Sequence, residues 1–268
     1  MNDDLGDRMK VYEGISCNAT LIPRLPIYAR IDGKCFSNFT RNMIKPYDIN
    51  MSNWMIETTK YLVKETHALL GYTQSDEISL AWYNTDPKAD SLFSGKIHKL
   101  NSILAALATA KFNHAAIDAI ENKYPVFDCR VFNLPNKEEL ANAFLWRELD
   151  ATKNAISSAA ALHFSPKQLH GISGKEKQEM LFQKTGINFN DYPVFFKRGT
   201  FIKKIVVETV LSEQEKNEIP EKYRPIGPIY RHEIVQLDMP RLLSISNRAE
   251  VLIDGKEPIL FDSEKTNV

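Results

Sequence analysis

The sequence predicts an α+β fold, and three observations carry that prediction. Apolar residues recur at every second position in short stretches such as Ile78, Leu80 and Trp82, the pattern of a strand with one buried face. Longer stretches, about 50–70, 96–115 and 136–162, repeat apolar residues at helical spacing instead. The chain has 268 residues, 43% of them hydrophobic, enough for a sizeable core. It contains no apolar run of about 18 residues, so no transmembrane helix is expected.

Residues 1–24 read as a polar lead-in, acidic at its start and without the basic and apolar regions of a secretory signal. The first strand is expected over 25–32, carried by Ile27, Tyr28, Ala29 and Ile31 and ending in Asp32-Gly33. Residues 33–39 then make a turn or a helix start whose N–H groups could face an anion. Lys45-Pro46-Tyr47-Asp48 breaks the chain, and Asp48 or Ser52 can cap a helix over about 50–70. Its buried face would hold Trp54, Met55, Thr58, Leu62, Thr66, Leu69 and Leu70.

A turn through Ser75 and Asp76 enters a second strand over 76–84, and 84–87 turns the chain again. The helix over 96–115 buries Ile97, Leu100, Leu104 and Leu107 or Ala108. Lys96 and Lys99 stand near its N-terminus, where cations are slightly unfavourable, which suits an anionic partner. A third strand follows over 124–132. Asn136 opens a long helix to about 162, on which Arg147, Asp150 and Asn154 share one face. Beyond it come a helix from Lys175 and a hairpin over 194–207 with Lys197-Arg198-Gly199 as its turn. Residues 211–232 are polar and proline-bearing, and 250–253 look strand-like.

Thirty-four basic and thirty-four acidic residues cancel, so net charge says nothing for a nucleic-acid partner, although a local basic surface is compatible with it. Three cysteines (Cys17, Cys35, Cys129) without a C-x-x-C pair point to a reducing compartment, read as cytoplasmic, and away from structural zinc. No H-x-x-x-H pair, P-loop or nucleophile elbow is present. What stands out is Asp32, Asp76 and Glu77. Two strand-borne acids on neighbouring strands are how a site for a hard cation such as Mg²⁺ is assembled. Asp is equally an ordinary residue of turns and caps, so the residues alone leave both readings open.

Six short motifs stand in order: Arg30-Ile31-Asp32-Gly33, Lys45-Pro46, Gln74-Ser75-Asp76-Glu77, Phe127-Asp128-Cys129-Arg130, Trp146-Arg147-x-x-Asp150 and Lys197-Arg198-Gly199. That order, over roughly residues 25–205, resembles the tRNA-histidine guanylyltransferase family. The resemblance implies a polymerase-palm-like antiparallel sheet with flanking helices and a smaller C-terminal helix and hairpin extension. Residues 1–135 would form the catalytic region, and 136–268 would complete the palm and contact RNA.

It further implies nucleotide addition in the 3′-to-5′ direction at the 5′ end of tRNA, with ATP or GTP as substrates and usually a homotetramer. Asp32 and Asp76, with the Gly33 carbonyl, would ligate two Mg²⁺ ions, and Glu77 would support them. Arg30, Gly33, Lys34, Cys35, Phe36, Ser37, Lys45, Ser75 and Asn154 would surround the nucleotide. Lys96, Lys99, Arg130, Arg147, Lys197 and Arg198 would meet phosphate or RNA.

One departure narrows the resemblance. After the Trp-Arg motif, eukaryotic members carry His-Ile-Asn-Asn-Leu-Tyr-Asn, where this chain has Thr152 at the histidine and Ser158 at the last asparagine. The chain therefore looks like the guanylyltransferase-like branch, which repairs 5′-truncated tRNAs by templated addition. The alternatives are a tRNA-His guanylyltransferase adding one G, and a non-catalytic tRNA-binding protein on a degenerate palm.

Overall fold

The computed structural model describes residues 4–86, 88, 91–120 and 124–261. Six strands form one fully antiparallel sheet in the order β4-β1-β3-β2-β5-β6. They are β1 (Ile27–Lys34), β2 (Leu70–Gln74), β3 (Glu77–Trp82), β4 (Val126–Asn133), β5 (Thr200–Thr209) and β6 (Ile229–Leu237). The helices are α1 (Asp4–Cys17), α2 (Phe36–Phe39), α3 (Ile49–Thr66), α4 (Ile97–Ala115), α5 (Lys137–Ala161), α6 (Pro166–Leu169), α7 (Gly174–Thr185), α8 (Val194–Arg198) and α9 (Glu213–Glu218).

Strand alternation sends side chains to two faces, and each face is a separate core. On one, Ala29, Ile31, Ile78, Leu80 and Ile202 pack with Met55, Leu62, Leu104 and Phe112 of α3 and α4. On the other, Tyr28, Tyr72 and Phe201 meet Leu140 and Phe144 of α5, with Leu242 and Leu252 from the C-terminal segment. Tyr28 lies edge-on to Phe144 at 5.3 Å between ring centroids, and its hydroxyl donates to Ser79 Oγ at 2.7 Å.

Several boundaries depart from the sequence expectation. The lead-in is in fact helical over α1, which buries none of its side chains and so leaves no periodic core stripe to read. Asp48 does cap α3, accepting from the N–H groups of Asn50 and Met51, but the helix stops at His67 in a left-handed conformation (φ 52°). Leu70, expected on that helix, instead opens β2, all five residues of which are buried. A short fully buried strand has no alternation to betray it.

The expected hairpin over 194–207 is not one. Val194–Arg198 is a helical turn ended by Gly199 (φ 76°), β5 begins at Thr200, and its partners are β2 and β6. The strand-like piece at 250–253 is a π-helix, Glu250–Asp254. The turn expected at 84–87 includes Pro87, outside the described residues.

Candidate nucleotide-transfer site

Asp76 and Glu77 sit where the β2–β3 hairpin turns. Ser75 takes a positive φ of 50°, as two-residue hairpin loops demand, and its hydroxyl donates to Asp76 Oδ1 at 3.0 Å. Register places Asp32 of β1 directly opposite Glu77, and the Gly33 N–H donates to the Asp76 carbonyl at 3.0 Å. Asp32, Gly33, Asp76 and Glu77 therefore meet at one end of the sheet. Asp128 of β4 lies opposite Asp32 on the other side, a neighbour the sequence reading had not assigned to the site.

The carboxylates differ in how their charge is met. Glu77 is buried, receives Arg147 Nε at 2.6 Å and has Arg30 Nε at 4.0 Å. Burial pushes its carboxyl up, against the pull of the Arg147 hydrogen bond and charge. Asp76 is also pushed up by burial, partly offset by the Ser75 hydroxyl and its own backbone N–H, and raised further by the charge of Asp32. Among the described residues neither Asp32 nor Asp76 forms an ion pair. Two close carboxylates without a cationic partner are a hard-oxygen donor pair that fits Mg²⁺, which binds through one or two carboxylates and completes its shell with water and phosphate.

Beside Asp76 opens a cavity of about 360 Å³ between the β2–β3 turn, the start of α3, α5 and α8. Phe36, Ser37, Lys45, Ser75 and Asn154, all expected around a nucleotide, line it together with Asp76. Lys45 Nζ donates to the Thr40 carbonyl at 2.9 Å, and Asn154 Nδ2 to Asp150 Oδ2 at 3.2 Å. Tyr47 closes one wall against Phe195 and Phe196, with ring centroids 5.3 and 5.0 Å away. These residues lie about 150 positions apart, and nothing in the sequence pairs them.

Gly33 and Lys34 end β1, and Cys35, left-handed (φ 58°) and exposed, turns the chain into α2. The N–H groups of Phe36 and Ser37 open that helix and have no partner inside it. The Phe36 ring itself is core, against Phe39, Phe112 and Phe127.

The expected phosphate and RNA contacts divide. Arg130 pairs in register with Arg30 and is exposed. Arg147 is buried on Glu77 and on Asp150, and Arg198 lies 3.5 Å from the buried Glu148, so both guanidinia are engaged inside the fold. Lys197 Nζ donates to the Asn190 carbonyl. Lys96 and Lys99 are not brought to the site. Lys96 bridges to Thr20, while the opposite end of α4 carries Phe112, which packs on Phe36 beside the acidic turn. Thr152, the position of the family histidine, donates to the Lys197 carbonyl at 3.0 Å and so ties α5 to α8.

Known proteins resemble this chain in sequence and fold. A family model described as tRNAHis guanylyltransferase matches residues 6–135, and one for the Thg1 C-terminal domain matches residues 128–238. A bacterial tRNA(His) guanylyltransferase-like protein solved with ATP is 41% identical. That match covers 75% of this chain and 88% of the other, at a TM-score of 0.72. A structure of a bacterial guanylyltransferase-like protein with GTP is 34% identical, covering 90% and 94%, at a TM-score of 0.71. The tRNA(His) guanylyltransferase of Schizosaccharomyces pombe is 29% identical over 226 residues, 78% of this chain and 83% of that enzyme. Among the described residues no helix is long and apolar enough to cross a membrane. With its antiparallel sheet, its acidic turn and matches along most of its length, this chain belongs to the tRNAHis guanylyltransferase family of nucleotidyltransferases acting on tRNA.

Proposed function

We propose that this protein is a template-dependent 3′-to-5′ nucleotidyltransferase that adds nucleotides to the 5′ end of truncated tRNA. The observation that carries the reading is the pair Asp32 and Asp76, close together and without an ion pair among the described residues, beside a nucleotide-sized cavity, while Glu77 is already met by Arg147 and Arg30. Asp32, the Gly33 carbonyl and Asp76 would hold two Mg²⁺ ions, which when bound lower the pKa of an attacking hydroxyl and neutralise triphosphate charge.

The chain's own groups do the rest. The N–H groups at the start of α2, with Lys45, would hold phosphate oxygens at the mouth of the cavity. Ser75 and Asn154 would orient the nucleotide in it. Arg147 keeps the Glu77 carboxylate fixed behind the reacting groups. The 5′ end would be activated by ATP or arrive as a triphosphate. The identity to a bacterial guanylyltransferase-like structure (41%) exceeds that to the structure of the Saccharomyces cerevisiae guanylyltransferase (26%), which supports the guanylyltransferase-like branch.

The reading includes a homotetramer with RNA held across subunits. Lys96 and Lys99 stand far from the acidic turn of their own chain, and α1 leaves Leu5, Tyr12 and Ile15 exposed. Sedimentation should give four chains per particle, and a monomer carrying full activity would remove this element.

The deciding experiment offers 5′-truncated tRNAs, with mono- and triphosphorylated ends, all four nucleoside triphosphates and Mg²⁺, followed by sequencing of the 5′ ends. Extension that follows the opposite strand is the expected result, and Asp76→Ala should abolish it while tRNA binding stays measurable. A single G added to tRNA-His alone, whatever the template, would replace this reading with the dedicated guanylyltransferase. RNA binding without incorporation would leave the non-catalytic one.

A further inference from the structure

The cavity occupies only one side of the acidic turn. On the other side, Arg130 and Phe132 of the edge strand β4 are exposed beside α5, and the cross-strand pairs of β1 and β4 follow an order. From the site outward they read Asp32 with Asp128, Arg30 with Arg130, and Tyr28 with Phe132. An acidic step is followed by a basic step and an aromatic one, each two residues along the strand.

Like charges directly opposite one another are unfavourable. Among the described residues Arg30 is relieved only distantly by Glu77, at 4.0 Å, and Arg130 only by a 3.9 Å contact to Asp128 in which both side chains are more than half exposed. An anion lying along the strands would meet both guanidinia.

Trp146 of α5 stands over this step. The guanidinium of Arg147 is 4.5 Å and that of Arg30 5.6 Å from its ring centroid, yet the residue is 50% exposed. Phe132 is 39% and Leu149 43% exposed, and Lys153, seven residues on from Trp146, is also at the surface. Aromatic faces among cations beside a reactive centre suit one kind of occupant: a polyanion that carries flat apolar groups. The cavity on the far side of Asp76, walled by Tyr47, Phe195 and Phe196, is left for the incoming nucleotide.

The geometry points to Trp146, with Phe132 and the Arg30–Arg130 pair, as a platform on which the 5′-terminal base of the acceptor RNA stacks while its backbone crosses the two arginines. The inference rests on the nucleotide-transfer reading and adds where the RNA end lies. A nucleobase could also come from a free nucleoside triphosphate, and the test separates the two sources.

Binding of a labelled 5′-truncated tRNA to the full chain is measured by fluorescence anisotropy without turnover, alongside ATP binding by calorimetry. Trp146→Ala should weaken RNA binding about tenfold, the effect of one lost base stack. Trp146→Phe should stay within about threefold of the parent, and ATP affinity should not move in either variant. Arg130→Ala should lower the salt dependence of RNA binding by about one counterion.

Should Trp146→Ala fail to fold, intrinsic fluorescence decides: RNA quenches the parent's emission, and Trp146→Phe loses that quenching. Unchanged RNA affinity in Trp146→Ala, equal quenching in Trp146→Phe, or a loss confined to ATP would each overturn the platform. Because binding is read without incorporation, a parent protein that adds no nucleotides would count against the proposed function and leave this test readable.

Discussion

The Nε of Arg147 donates to Oε1 of Glu77 at 2.6 Å, and both side chains are buried. The pair joins α5 to the first residue of β3 across 70 positions of sequence. It also separates two kinds of acid in one turn: Glu77 balanced by its guanidinium, and Asp76 left without one.

Removing one half of that pair leaves a buried charge alone. Arg147→Met should destabilise the fold by about 3 kcal/mol, in line with broken buried pairs, or roughly 6–12 °C in melting temperature. Adding Glu77→Gln to Arg147→Met should recover part of that loss. A double-mutant cycle by thermal denaturation checks it, and strictly additive losses would show that the two side chains are not coupled.

Asp76 has the opposite character. In the absence of divalent cations it is a partly buried carboxylate beside Asp32, so Asp76→Asn should raise the melting temperature while abolishing nucleotide incorporation. Mg²⁺ should stabilise the parent by mass action and have a much smaller effect on Asp76→Asn. Thermal melts with and without Mg²⁺ read both effects, and an equal Mg²⁺ shift in the two proteins would place the ion elsewhere.

The carboxylates of this turn were legible in the sequence because a glycine or a turn follows or precedes an apolar alternating stretch at each. The α3 cap at Asp48 and the shared face of Arg147, Asp150 and Asn154 were legible for the same reason: their signals are local. β2 was not, since all its residues are buried and the alternation vanishes. The engagement of Arg198 with Glu148 was not either, since a basic residue beside a glycine reads the same whether its partner is RNA or a carboxylate 50 residues away. Lys96 and Lys99 read as neighbours of phosphate until the Thr20 bridge to Lys96 put that end of α4 away from the acidic turn.

Glu148 offers a prediction in pH. Its carboxyl is buried, accepts the Leu242 N–H at 2.9 Å and faces Arg198 at 3.5 Å. Burial outweighs these partners and lifts its pKa above the usual 4.5. Between 4.5 and the raised value the folded state holds a proton that the unfolded chain has released. That contribution to stability is therefore present at low pH and is lost as pH rises through the folded pKa. Glu148→Gln lacks it, so the stability difference between parent and variant should widen in the parent's favour as pH falls toward 4.5. Urea denaturation across this range measures it, and a gap independent of pH would mean that Glu148 titrates normally.

Gly33 connects the core to the turn into α2. A Cβ there would fall 2.4 Å from Cδ2 of Phe36, a ring held by Phe39, Phe112 and Phe127. The ring cannot swing freely out of that cluster, so Gly33→Ala has to shift the turn through Cys35 and Ser37. Overpacking of this kind costs about 1–3 kcal/mol, and the displaced N–H groups should weaken ATP or GTP binding as well. Gly227→Ala, with nothing within 4 Å of its Cβ, serves as the control and should leave nucleotide affinity intact. Calorimetric titration of ATP into both variants reads the difference. If Gly33→Ala lost stability but bound ATP as the parent does, the turn after β1 would be structural and the phosphate contacts would lie with Lys45 and the β2–β3 hairpin instead.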